Sequence, residues 1–371
     1  MKFFCSHPWE GLDISPQGEF KPCCNYRSKI PSDSLDEYLN SPDLKKVKEE
    51  FLNDKRPAGC YGCWSDEDGD IESKRQIDWK YLFKEKLPNF KNPQHKILTL
   101  AIGNTCNLTC RICDSYASSA WIKPQEKLKK INNNTVIFEH KKFYKEKEFL
   151  KVIKEVSSTI IRIDITGGEP FLTGKHEHLE FLSFLVETNQ ANRIELNYTT
   201  NGTVIPNDNI INQWRSFKKV TIRLSIDGIE KHFEYNRYPA NWKTLLENID
   251  MYKKLGFLNF KVIYVVSVFT IYYVPEFTRW CLKNKLGIPH YQVLDEPTIY
   301  DIKNLPVDVK NIVKNKIKNF PNLIEYINQN SHEEFNKTID YIKFLDNERN
   351  QSFKDIFPEF YNVLKETKCQ I

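Results

Sequence analysis

Cys106, Cys110 and Cys113 lie in the run Cys106-Asn107-Leu108-Thr109-Cys110-Arg111-Ile112-Cys113, a CxxxCxxC spacing. Three thiolates spaced in this way can hold three corners of a [4Fe–4S] cluster and leave one iron without a protein ligand. An open iron can bind a small molecule, whereas four-cysteine ligation favours plain electron transfer. The fourth cysteine that a ferredoxin-like site needs just downstream is absent. A zinc ion held by the three cysteines and a ligand from elsewhere stays open.

A second set of thiols comes earlier. Cys5, Gly18 and Cys23 give C-x12-G-x4-C, and Cys60 and Cys63 form a CxxC pair. Pro22, Pro57, Gly59 and Gly62 beside them suit backbone wrapped round a small inorganic body. Four thiolates serve a structural zinc or an iron–sulfur cluster equally well, so spacing leaves both readings open. Cys24 is read as a neighbouring free thiol, Cys281 as a small core hydrophobe and Cys369 as part of the tail.

The elements that must position these groups are legible as alternating patterns. A helix is expected over Ser34–Asn53, interrupted by Pro42. From residue 95, strands are expected at Lys96–Ile102, Ile160–Thr166, Ile194–Thr199, Thr221–Ile226, Lys261–Val268 and Tyr291–Leu294. Helices are expected between them at Glu177–Thr188, Ile210–Phe217, Trp242–Leu255 and Val274–Lys285. Such alternation is the signature of a parallel sheet. Residues 307–366 read as further helices without chemistry. Strand ends carry the remaining polar motifs: Gly167-Gly168-Glu169-Pro170, Asn201-Gly202, Ser225-Ile226-Asp227-Gly228 and Asp295-Glu296-Pro297.

CxxxCxxC followed in order by GGEP, NG and SIDG resembles the radical S-adenosylmethionine (SAM) superfamily. The resemblance implies an open, partial (β/α)6 TIM-like barrel, preceded by a small loop-rich Fe–S domain and followed by C-terminal helices. It implies a [4Fe–4S] cluster with an open iron on Cys106, Cys110 and Cys113, and SAM held by Gly167, Gly168, Glu169, Pro170, Asn201, Ser225 and Asp227. The Glu169 carboxylate would accept from the SAM ammonium group, and Arg237 would clamp its carboxylate. Ile112 departs from a position that is often aromatic in the family. The N-terminal thiols resemble a truncated twitch/SPASM-like domain, which implies a second, auxiliary [4Fe–4S] cluster on Cys5, Cys23, Cys60 and Cys63. A full SPASM domain has seven cysteines and follows the barrel, so this set departs in number and in place. The organisation this implies is 1–94 auxiliary domain, 95–300 partial barrel and 301–371 C-terminal helical extension.

Composition sets limits on these readings. The chain has 371 residues, 40% of them hydrophobic, enough for one large α/β domain and a smaller one. No run approaches the ~20 apolar residues of a membrane-spanning helix. The first residues lack a signal-peptide core, so a cytoplasmic location is expected, with cysteines as ligands rather than disulfides. Residues 123–155 hold ten Lys and five Glu, which accounts for the whole formal charge of +5. No aromatic stacking pattern is interleaved with these charges, so the segment reads as a solvated insertion, and a nucleic-acid partner is possible but unsupported. The implied activity is reductive SAM cleavage followed by hydrogen-atom abstraction, with a peptide or protein side chain as expected substrate. A low-potential donor such as flavodoxin or ferredoxin would feed it. Radical modification of a nucleoside, tRNA or DNA base is the alternative within the same chemistry. A non-catalytic Fe–S or zinc binding module is the alternative outside it.

Overall fold

The structure is a computed structural model that describes residues 2–131, 135–140, 146–172, 175–329 and 334–367. Among these are eight strands: β1 (Gly11–Ile14), β2 (Phe20–Lys21), β3 (Ile97–Ala101), β4 (Arg162–Thr166), β5 (Glu195–Thr200), β6 (Lys219–Ser225), β7 (Asn259–Val266) and β8 (His290–Val293). Their order in the sheet is β2-β1-β3-β4-β5-β6-β7-β8. β1 with β3, β3 with β4, β4 with β5, and β7 with β8 pair in parallel, while β2 runs antiparallel to β1. Strands β3 to β8 are the six expected ones, each end within two residues of its expected place. This is the α/β architecture that the alternating pattern implies, a largely parallel sheet followed by C-terminal helices.

The first two strands were not expected from the sequence. Gly11-Leu12-Asp13-Ile14 is too short to carry a pattern, and its position comes from pairing Leu12 with Leu98 and Ile14 with Leu100. The expected helix 34–53 is two helices, Leu35–Asn40 and Pro42–Leu52. Ser41 caps the second by accepting from the Leu44 amide at 3.2 Å, and Pro42 occupies its first turn, where no backbone N–H is needed.

Two compact units are assembled from interleaved segments: residues 1–107, 114–223 and 250–259 in the first, 108–113, 224–249 and 260–371 in the second. In the first unit one sheet face is apolar. Leu12, Leu98, Leu100, Ile163, Ile165, Leu196 and Tyr198 are all buried. Tyr198 marks the helix-covered side: its ring centroid lies 5.2 Å from Trp214 and its hydroxyl 2.7 Å from His178 Nε2. Those partners sit on helices Asp208–Trp214 and Lys175–Glu187. Because side chains alternate along a strand, the residues between them face the other way. Asp13, Thr99, Asp164 and Asn197 therefore line the inner face.

The second unit packs aromatic residues from its C-terminal helices around Tyr235. The Phe353 and Phe357 rings lie tilted with centroids 5.1 Å apart, and Phe357 meets Tyr235 edge-on at 5.1 Å. The helices over 307–366 run Val307–Lys316, Pro321–Ile327, Phe335–Arg349, Phe353–Ile356 and Pro358–Glu366. The basic stretch holds helices Ile122–Ile131 and Glu146–Val156, with residues 132–134 and 141–145 outside the described residues. Cys369 also lies outside them.

Candidate functional site

The cysteine loop leaves β3 through Gly103, whose φ of +74° is a left-handed conformation that glycine adopts without strain. In the first unit the loop after β4 is stitched onto it. The Gly168 amide donates to Gly103 O at 3.0 Å and the Glu169 amide to Thr105 O at 2.8 Å. A Cβ on Gly168 would lie 2.2 Å from Thr105 O, and one on Gly167 2.9 Å from Gly103 O. The space that a side chain would need at these glycines is thus filled by the chain's own cysteine loop.

Glu169 is fully buried, and its carboxylate is occupied by protein donors. It accepts from Thr200 Oγ1 at 2.8 and 3.0 Å, from the Asn201 amide at 2.8 Å and from the Phe171 amide at 3.3 Å. A carboxylate has about four lone-pair positions. The carboxylate therefore ties the end of β5 to the loop after β4, and any added ligand donor must displace one of these bonds. From the same strand end, Asn201 Nδ2 donates to Asn107 Oδ1 at 2.9 Å and lies 4.0 Å from Cys106 Sγ. Asn107 in turn donates to Thr203 Oγ1 at 2.9 Å. The sequence-expected Cys106, Glu169 and Asn201 are thus brought together, and Thr200, which sequence reasoning passed over, is the hinge of the arrangement.

In the second unit Cys110 and Cys113 meet residues 227–238. The Thr109 amide donates to Tyr238 O at 2.7 Å and the Arg111 amide to Asn236 O at 2.8 Å. Arg237 lies with Nη1 3.9 Å from Cys110 Sγ and Nη2 2.7 Å from Asp227 Oδ2. Burial opposes its charge, but Asp227 and the Cys110 sulfur hold the guanidinium above its ordinary range. Asp227 is held in turn by the Val265 amide at 2.9 Å. Arg237 Nε and Asn236 Oδ1 are buried without a hydrogen-bond partner. An orphaned guanidinium N–H beside the cysteine sulfur fits an incoming carboxylate, since a buried donor left unmade is costly. Ser225 is half-buried at the end of β6.

The C-terminal helices also reach this loop, which the sequence did not suggest. Arg111 is buried with its guanidinium 3.5 Å above the Tyr235 ring. Its Nη2 donates to Asp346 Oδ1 at 2.5 Å and to Gln351 Oε1 at 2.9 Å. Arg349 Nη2 donates to Thr109 O at 2.6 Å. Asp295 is half-buried and Glu296 exposed beyond β8.

The N-terminal thiols lie in the first unit, and none is in a disulfide. Burial pushes the Cys5 thiol up to about 12, with Cys63 adding to the rise. Cys60 is pushed up by burial and then by Cys5 and Cys63; Cys23 by burial and then by Cys24, Cys5 and Cys60. Cys5, Cys23, Cys60 and Cys63 are therefore electrostatic neighbours. Their donor chemistry suits a four-thiolate centre, although among the described residues no three Cys, His, Asp or Glu side chains already stand in metal-holding geometry. Arg75 braces the group, donating to both Glu67 oxygens at 2.8 and 2.7 Å and to Phe4 O at 2.7 Å. Gly59 is required by a ring: a Cβ there would lie 2.4 Å from Tyr26.

Residues 100–284 match the Radical SAM superfamily. No curated protein matches the chain. Among solved structures, native anSMEcpe with bound AdoMet is 19% identical, covers 64% of this chain and 62% of its own, and superposes with a TM-score of 0.45. The same protein with AdoMet and a Cp18Cys peptide gives 17%, 65%, 64% and 0.45 in the same order. Streptococcus suis SuiB is 13% identical and covers 86% of this chain and 69% of its own, with a TM-score of 0.40. The chain thus spans about three fifths of the length of the first of these. No described helix is long and apolar enough to cross a membrane.

Proposed function

We propose that this chain, which carries a radical SAM domain over residues 100–284, is a radical SAM enzyme that modifies a peptide or protein side chain. Membership of that superfamily implies an enzyme with a [4Fe–4S] cluster and SAM. When bound, these groups supply one-electron cleavage of SAM to a 5′-deoxyadenosyl radical that can abstract a hydrogen atom. The chain's own part is ligation, orientation and exclusion of water. Cys106, Cys110 and Cys113 would hold the cluster. Arg237, with its free Nε–H beside Cys110, would take the SAM carboxylate. Gly167, Gly168, Pro170, Asn201, Ser225 and Asp227 would line the rest of the SAM site. Glu169 would act mainly by fixing the loop after β4 against β5.

The observation that carries the reading is the bracing of one CxxxCxxC loop by two sets of neighbours: the loop after β4 on its Cys106 side, and Arg237 on its Cys110 side. An auxiliary [4Fe–4S] cluster on Cys5, Cys23, Cys60 and Cys63 belongs to the same proposal, as do a flavodoxin- or ferredoxin-like donor, a cytoplasmic location and the division at residues 94/95 and 300/301. The test of the substrate class is anaerobic incubation with reductant and SAM plus synthetic peptides in one arm and tRNA or nucleosides in the other. Peptides that raise 5′-deoxyadenosine release above the uncoupled rate, and change mass, support the proposal. The same result with tRNA or nucleosides would replace it with base modification.

A further inference from the structure

A packed barrel interior is filled by layers of bulky branched apolar side chains. In the first unit the inner sheet face is built differently. Asp13 pairs in register with Thr99, Thr99 with Asp164, and Asp164 with Asn197, so a polar row crosses four strands. Two residues further along these strands the same face carries only Ser15, Ala101, Thr166 and Thr199. A row of small side chains thus follows the polar row on this face.

Among the described residues, the neighbouring charges of the floor satisfy one another. Asp164 accepts from Arg162 Nε at 2.9 Å, Arg223 Nη2 at 2.8 Å and Asn197 Nδ2 at 2.9 Å. Asp78 is held by His7 at 2.8 Å and by Lys74. Asp13 is only 5% exposed, and among the described residues no hydrogen bond or ion pair reaches its carboxylate. The charges that reach it are those of Lys21, Lys74 and Asp164. Both lysines are engaged elsewhere: Lys21 with Glu19 at 3.7 Å and the Tyr116 hydroxyl at 3.4 Å, and Lys74 with Asp78. A buried carboxylate with every nearby cation committed elsewhere is an acceptor awaiting a donor.

We infer that Asp13 is the anchor of a substrate subsite on the inner face of the sheet, and that the group it takes is a primary amine or guanidinium. A cation is the ligand that best offsets a desolvated carboxylate, through a charge-assisted hydrogen bond. Naming the ligand's owner as the substrate rests on the radical SAM reading; the subsite itself does not.

The probes are n-butylamine and agmatine, with 1-butanol as the uncharged control, titrated into the full-length protein and followed by saturation-transfer difference NMR. Saturable binding of a cationic probe, weakened about tenfold or more in Asp13→Asn, is expected, because a hydrogen bond to a charged group is worth roughly that factor. Should Asp13→Asn not fold, carbodiimide labelling of the wild type read by mass spectrometry replaces it, with methylguanidinium, which carries no amine for the activated carboxyl to couple to, expected to protect Asp13. Equal binding by wild type and Asp13→Asn, binding of butanol as tight as that of the amines, no saturable binding, or no protection would each overturn the subsite. Release of 5′-deoxyadenosine by the wild type is measured in parallel. Its absence, with probe binding intact, would count against the radical reading alone.

Discussion

Arg111 Nη2 donates to Asp346 Oδ1 at 2.5 Å, joining the middle of the cysteine loop to the last turn of the helix Phe335–Arg349. Asp346 also accepts from the Tyr235 hydroxyl at 2.8 Å and the Phe353 amide at 2.6 Å. One carboxylate thereby fixes a fully buried guanidinium, an aromatic ring and the start of the next helix. Residues that read as a plain helical cover thus set the position of the loop between Cys110 and Cys113.

Replacing Asp346 with Ala leaves the Arg111 charge buried and unpaired. Breaking one side of a buried pair costs about 3–5 kcal/mol, and a loss at the low end is expected because Asp346 keeps 16% of its side-chain exposure. Urea denaturation of the wild type and the variant measures it. A loss below about 1 kcal/mol would show that the pair contributes no more than a surface bridge.

Glu169→Ala should reduce stability as well as SAM affinity. It strands the Thr200 hydroxyl and the Asn201 and Phe171 amides, and a buried donor left unsatisfied costs roughly 1–3 kcal/mol. Denaturation midpoint and calorimetric SAM binding, measured on the same preparation, separate the two effects. Weakened binding at unchanged stability would make Glu169 a direct SAM ligand rather than a brace.

Asp13 gives a pH dependence with a definite sign. Burial raises its carboxyl from 3.8 to about 7, so the folded state favours the protonated form. Its unfavourable contribution is absent below the unfolded value, grows as the pH rises from 3.8 to about 7, and is complete above that. Asp13→Asn should therefore match the wild type in stability near pH 4 and exceed it above pH 7, by up to about 4 kcal/mol. Denaturation curves across that range check it; a variant less stable at high pH would mean that Asp13 is paired in solution.

The N-terminal thiols are tested by metal content. With an auxiliary cluster on Cys5, Cys23, Cys60 and Cys63, reconstituted wild type should hold about eight irons, and a variant lacking the barrel cysteines about four. A colourless variant with about one zinc would assign the set to a structural ion instead.

The strands β3 to β8 and the cysteine loop were legible because each is carried by a local pattern, an apolar run or a fixed spacing. The Asp13 row was not, since it exists only through the register of β1 on β3 and β3 on β4, which pairs Asp13 with Thr99 and Thr99 with Asp164, positions distant in the chain. Asp346 and Arg349 were missed for a related reason. Polar residues in an amphipathic helix read as its solvated face until the partner that buries them is known. Glu169 was legible as a motif residue, and Thr200 adjoins the Asn201-Gly202 motif, but the bond between the two exists only once β4 and β5 pair side by side.

The central claim is that Cys106, Cys110 and Cys113 support SAM cleavage. Anaerobically reconstituted wild type, given dithionite and SAM, should release 5′-deoxyadenosine, and the Cys106→Ala/Cys110→Ala/Cys113→Ala variant should release none while losing about four irons per chain. Release undiminished in the folded triple variant would contradict the account.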